Sequence, residues 1–121
     1  MHPAYNYIKQ AINGQYPDTE ASAIAKAILT DVFQLSTTDL YASKDMNFST
    51  NQAEKLEVII TRLRANEPLQ YILGNCYFCG LDFHVEPGVL IPRPETAELV
   101  EWIISDRKSS DSPIRILDIG T

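Results

Sequence analysis

The stretch NCYFCGLDFHVEPGVLI, residues 75–91, is where this chain changes character. Cys76-Tyr77-Phe78-Cys79 is rich in strand formers, Gly80 can turn, and Leu81-Asp82-Phe83-His84-Val85 alternates in part. That pattern predicts a small β-hairpin. Glu86-Pro87-Gly88 is a turn signal, and Val89-Leu90-Ile91 reads as extended backbone. A hairpin this short cannot hold a core of its own. The fold is therefore decided by what lies on either side of it.

Upstream, the periodicity is helical. Tyr5, Ile8 and Ile12 recur at spacings of three and four between His2 and Asn13, and Gly14 is a natural stop. Pro17-Asp18-Thr19 opens a second helix, with Asp18 or Thr19 as its cap. Its apolar stripe runs Ala21, Ile24, Ala25, Ile28, Leu29, Val32 and Leu35. Thr37 to Leu40 predicts a short hydroxyl-capped turn, and Lys44 to Phe48 a polar connector. Ser49-Thr50-Asn51-Gln52 is a capping box before a helix whose inner face carries Ala53, Leu56, Ile59, Ile60 and Leu63. Pro68 suits the start of one more short helix, which Gly74 ends. Residues 1–74 thus form a compact bundle of four or five helices, near the lower size limit for a self-supporting core.

Downstream, Pro92-Arg93-Pro94 holds the backbone extended. Pro94 then begins a helix with Glu95 and Glu98 near the positive end of its dipole and Ala97, Val100, Ile103 and Ile104 on one face. After a polar loop, Ile114 to Ile119 is mostly apolar, as a strand buried on both faces of a parallel sheet would be. It runs into Gly120-Thr121. A strand, an acidic residue and a glycine is how a doubly wound nucleotide fold opens its ligand loop, because glycine lets backbone approach a ligand. A buried strand that merely ends in Asp-Ile-Gly reads the same way.

Composition limits the function classes. The 121 residues carry 10 Lys+Arg and 16 Asp+Glu, a net charge of −6 with hydrophobic content of 45%. No basic footprint for nucleic acid or anionic membrane is present. No apolar run reaches the roughly 18–20 residues of a membrane span, and the amino terminus lacks a signal-peptide pattern. The two cysteines make no disulfide scaffold, so the default compartment is the cytoplasm. Cys76-x-x-Cys79 lies in an apparent strand and lacks partners at metal-site spacing, so no metal site is expected. His84 reads as a strand residue.

An ordered set of motifs now comes into view: Glu67-Pro68-Leu69, Gly74, Phe78-Cys79-Gly80-Leu81-Asp82-Phe83, Pro87 to Thr96, and the terminal ILDIGT. Together they resemble the protein-glutamine methyltransferases of the HemK/PrmC family. The resemblance implies S-adenosylmethionine as cofactor and, as substrate, the side-chain amide of the Gly-Gly-Gln glutamine in peptide-chain release factors. It implies a helical docking domain at 1–74, a hairpin linker at 75–91, and at 92–121 the start of a Rossmann-like α/β methyltransferase domain, incomplete here. On the same basis Asp118, Gly120 and Thr121 would begin the cofactor loop. Pro92, Arg93, Glu95 and Thr96 would line the pocket. The family's Asn-Pro-Pro-Tyr motif, which holds the amide for in-line attack, has no counterpart. Asn66-Glu67-Pro68 has one proline and no following tyrosine, and Tyr77 stands where the family often carries Glu. No catalytic residue is therefore expected in this chain, which by itself should be inactive. Two other readings share most of these features. One is a stand-alone release-factor docking module, for which a buried parallel strand would have no use. The other is an enzyme acting on ribosomal-protein glutamine. Direct contact with nucleic acid or membrane is not expected.

Overall fold

The computed structural model describes residues 1–42, 48–107, 113 and 115–119. Helix α1 (Pro3–Ala11) starts on a proline whose missing N–H costs nothing at that position. His2 caps it: its Nδ1 accepts from the Ala4 N–H at 3.2 Å. Helix α2 (Asp18–Ala27) follows Pro17 and has no side-chain cap, contrary to the expectation for Asp18 or Thr19. Asp18 already lies within the first turn, and its carboxylate turns outward to Lys9 at 2.8 Å. At the positive end of the helix dipole it is still favourable there.

The apolar stripe of α2 does not continue as ordinary α-helix. Ile28–Val32 is a π-helical segment. The Leu35 N–H reaches back to the Leu29 carbonyl at 3.0 Å, and Gln34 adopts a positive φ of 56°. This wider winding keeps Ile28 and Leu29 fully buried while Phe33 and Leu35 still turn inward. Helix α3 (Thr37–Ala42) is capped by a hydroxyl, supplied by Ser36: the Asp39 N–H donates to its Oγ at 3.2 Å. Of the expected connector, residues 44–47 lie outside the described residues. Phe48 stacks on Phe33 with centroids 4.5 Å apart.

Helix α4 (Thr50–Arg64) opens with the anticipated capping box between Ser49 and Gln52. Leu56, Ile59, Ile60 and Leu63 form its buried face. Ala53 is exposed, because it lies a turn before that buried face begins. The carboxyl end of α4 would leave carbonyls without partners. The Gln15 amide donates to the Leu63 carbonyl at 2.8 Å, and the Tyr16 hydroxyl to the same oxygen at 3.3 Å. In return the Arg64 Nε donates to the Ala11 carbonyl at 2.9 Å. The start and end of the bundle are thereby tied together.

A short helix α5 (Leu69–Leu73) ends at Gly74, which takes a left-handed φ of 79° that a Cβ would strain. Strands β1 (Asn75–Phe78) and β2 (Leu81–His84) then pair antiparallel, with Cys76 opposite Phe83 and Phe78 opposite Leu81. Cys79 and Gly80 form a two-residue turn with positive φ at both, 49° and 82°. Turns of this hand match the strand twist, and glycine takes the second place without cost.

Helix α6 (Pro94–Arg107) begins on Pro94 as the sequence predicts. Of the expected apolar face, Ala97 and Val100 are half-buried and Ile103 and Ile104 exposed, as are Leu99 and Trp102. Residues 115–119 form no strand, and Ile116, Leu117 and Ile119 are exposed. A parallel strand satisfies its backbone only against neighbouring strands. No strand among the described residues lies beside this one. Ile114 is outside the described residues.

Candidate functional site

The expected site residues fall in two places. Pro92 is half-buried, whereas Arg93, Glu95 and Thr96 are exposed around the start of α6. The Thr96 N–H donates to the Arg93 carbonyl at 3.1 Å, a bond that starts the helix. Asp118 lies on the exposed 115–119 segment, and Gly120 and Thr121 are outside the described residues. The structure thus forms the entry to α6, and among the described residues no donor set comes together around Asp118. On either side of Asp118, Leu117 and Ile119 stand 82% and 84% exposed.

The junction between α4 and α5 is better organised. Arg62 on α4 grips Glu67 with two bonds, Nε to Oε2 at 2.7 Å and Nη2 to Oε1 at 2.6 Å. Such a fork is a strong arrangement for a guanidinium and a carboxylate. Hydrogen bonding from Arg62 holds the Glu67 carboxyl below its ordinary pKa, and Glu67 raises that of Arg62 in turn. The same Nη2 donates to the Tyr71 carbonyl at 3.3 Å. Asn66 takes a positive φ of 61° between the two partners. Glu67-Pro68-Leu69, read in the sequence as a motif with a helix start at Pro68, is therefore also a fastening between α4 and α5.

Beyond the hairpin, Val85 is almost fully buried, and its N–H donates to the Gly74 carbonyl at 3.1 Å. Glu86-Pro87-Gly88-Val89 makes the anticipated turn, closed by the Val89 N–H on the Glu86 carbonyl at 2.9 Å. The Tyr71 hydroxyl then donates to the Val89 carbonyl at 2.6 Å.

One feature was not expected from the sequence. A groove of about 620 Å³ lies between the π-helical segment, α5 and the hairpin. Thr30, Asp31, Gln34, Gln70, Asn75 and Asp82 give it a polar lining. The polar pair Thr30-Asp31, interrupting the apolar stripe beside Leu29, was the available sequence signal. Cys76 and Cys79 carry free thiols, and His84 is exposed with its Nε2 4.0 Å from Glu86. No helix of the described residues is long and apolar enough to cross a membrane.

The fold class is a small helical bundle followed by a two-stranded hairpin and a proline-flanked helix start. Residues 4–74 match the model of the PrmC N-terminal domain, and the chain belongs to that family. It is 47% identical over 115 residues to a release factor glutamine methyltransferase of Bacteroides thetaiotaomicron, covering 95% of this chain and 40% of the relative. A release factor glutamine methyltransferase of Flavobacterium psychrophilum is 41% identical over 93% of this chain and 40% of its own length. That of Escherichia coli is 30% identical over 96% of this chain and 41% of its own. The chain spans about two fifths of the length of these curated relatives.

Proposed function

We propose that this chain is the docking and linker part of a release factor glutamine methyltransferase. The observation that carries the reading is the 47% identity sustained over 95% of the chain, through bundle, hairpin and linker alike. A docking surface alone would not require likeness in the linker. In this reading the protein transfers a methyl group from S-adenosylmethionine to the side-chain amide nitrogen of the glutamine in a release factor's Gly-Gly-Gln motif. It works in the cytoplasm, where its partner acts, and its contacts are with protein. The net charge of −6 supports that last point, since nucleic-acid affinity is dominated by basic contacts to phosphate.

The task of such an enzyme is largely positioning, because an amide nitrogen is a poor nucleophile and must be held in line with the methyl group. The 121 residues contain no Asn-Pro-Pro-Tyr sequence to do this, so the chain alone transfers no methyl group. The full-length protein carrying this chain, given radiolabelled S-adenosylmethionine and release factor, labels the factor. It fails to label one whose Gly-Gly-Gln glutamine is replaced by asparagine. Label on ribosomal protein, with none on release factor, overturns the reading.

A further inference from the structure

Tyr71 is the one described residue bonded both to the bundle and to the outgoing linker turn. Its backbone carbonyl accepts from Arg62 of α4 at 3.3 Å, and Arg62 is itself locked on Glu67. Its hydroxyl, at the other end of a rigid ring, donates to the Val89 carbonyl at 2.6 Å. Val89 closes the Glu86–Val89 turn, and three residues later Pro92-Arg93-Pro94 begins to impose an extended path on the chain. Upstream, the linker is already fixed where the Val85 N–H meets the Gly74 carbonyl. Val85 sets where the linker leaves the bundle; the Tyr71–Val89 bond sets its direction. Without that bond the turn can pivot about the Val85 anchor.

We propose that Tyr71 is a positioning residue. It latches the linker at one angle to the helical domain, so that a protein substrate held by that domain meets the methyl-transfer site in a fixed geometry. This rests on the function proposed above. It makes the role of Tyr71 specific: the latch matters only to a substrate long enough to touch both parts. A short Gly-Gly-Gln peptide, which cannot reach the bundle, does not depend on it.

Tyr71→Phe removes the hydroxyl and keeps the ring. The first measurement is amide hydrogen exchange in the 121-residue chain. Losing one exposed hydrogen bond shifts a local opening equilibrium by roughly two- to tenfold. The Val89 amide should exchange faster by that factor, while Val85 and the α4 amides keep their rates. Unchanged Val89 exchange overturns the latch. The second measurement uses the full-length enzyme. Tyr71→Phe should lower kcat/KM for intact release factor several-fold and leave kcat/KM for a Gly-Gly-Gln peptide unaltered. Equal losses on both substrates, or no loss on either, overturn the positioning role. If the wild-type enzyme labels no release factor, the functional reading fails, while the exchange measurement still decides whether the latch exists.

Discussion

The bundle and the stretch after Gly74 are apolar in similar proportion, yet they keep their apolar residues in opposite ways. Before Gly74, Ile8, Ile12, Ala25, Ile28, Leu29, Ile60 and Leu63 are at most 1% exposed, and they form one contiguous core. After Gly74, Val85 is the one described hydrophobic residue that is buried, while Trp102 is 67% exposed and Leu117 82%. The difference lies in how each pattern finds its partner. A helical stripe meets another stripe a short distance away along the chain, so the bundle closes on itself. The apolar faces of α6 and of 115–119 have no such neighbour among the described residues. Helix α6 therefore stands as a helix by virtue of Pro94, its propensity and its dipole. The strand-like segment, which has no local means of support, does not form a strand.

The sharpest way to break this comparison is to truncate one side chain in each region. Leu63→Ala should cost about 2–5 kcal/mol of unfolding free energy, because Leu63 is fully buried and its removal leaves a cavity. Leu99→Ala, on the exposed face of α6, should change stability by no more than about 0.5 kcal/mol. Urea denaturation followed by circular dichroism measures both. Comparable losses would show that α6 shares the bundle's core.

A smaller effect separates the hairpin from the bundle. Gly80→Ala forces a Cβ into the left-handed region and should cost about 1–2 kcal/mol of hairpin stability. Cross-strand exchange between β1 and β2 should rise, while the main unfolding transition of the bundle stays in place. A matching fall in the bundle's transition would mean that the hairpin is part of its cooperative unit.

The smallest effect tests the fastening between α4 and α5. Glu67 has its folded-state pKa lowered by Arg62, so it stabilises the fold when ionised. That contribution is fully present above the ordinary carboxylate pKa and is lost as pH falls through the depressed one. Glu67→Gln should lower the melting temperature modestly at neutral pH, and the gap from wild type should close as the solution is acidified. A gap independent of pH would assign the loss to packing.

How much of this could be read from residues alone follows the same division. Spacing of apolar residues located α1, α2 and α4, since each helix buries the face that its own sequence marks. The Ser49–Gln52 box and the Gly74 stop were legible because capping is local chemistry. The winding of Ile28–Val32 was not, because a π-helical turn buries nearly the same side chains as an α-helical one. Nor were the Arg62–Glu67 fork and the Tyr71–Val89 bond, which depend on where separate elements meet. For the expected cofactor residues, the sequence showed a strand pattern at Asp118. A strand is a property of a sheet, and its pattern does not supply the neighbours.

The bonds from Gln15, Tyr16 and Arg64 have a consequence for synthesis. They join residues 47 to 53 positions apart; Gln15 and Tyr16 cap the helix that ends at Arg64, and Arg64 in turn caps the one that ends at Ala11. The last fully buried core side chain, Leu63, belongs to that same helix. A growing chain cannot complete its core until α4 has emerged, but it needs nothing from the hairpin to do so. The bundle can close while the hairpin is still being made, and α6 then follows from an anchor already in place.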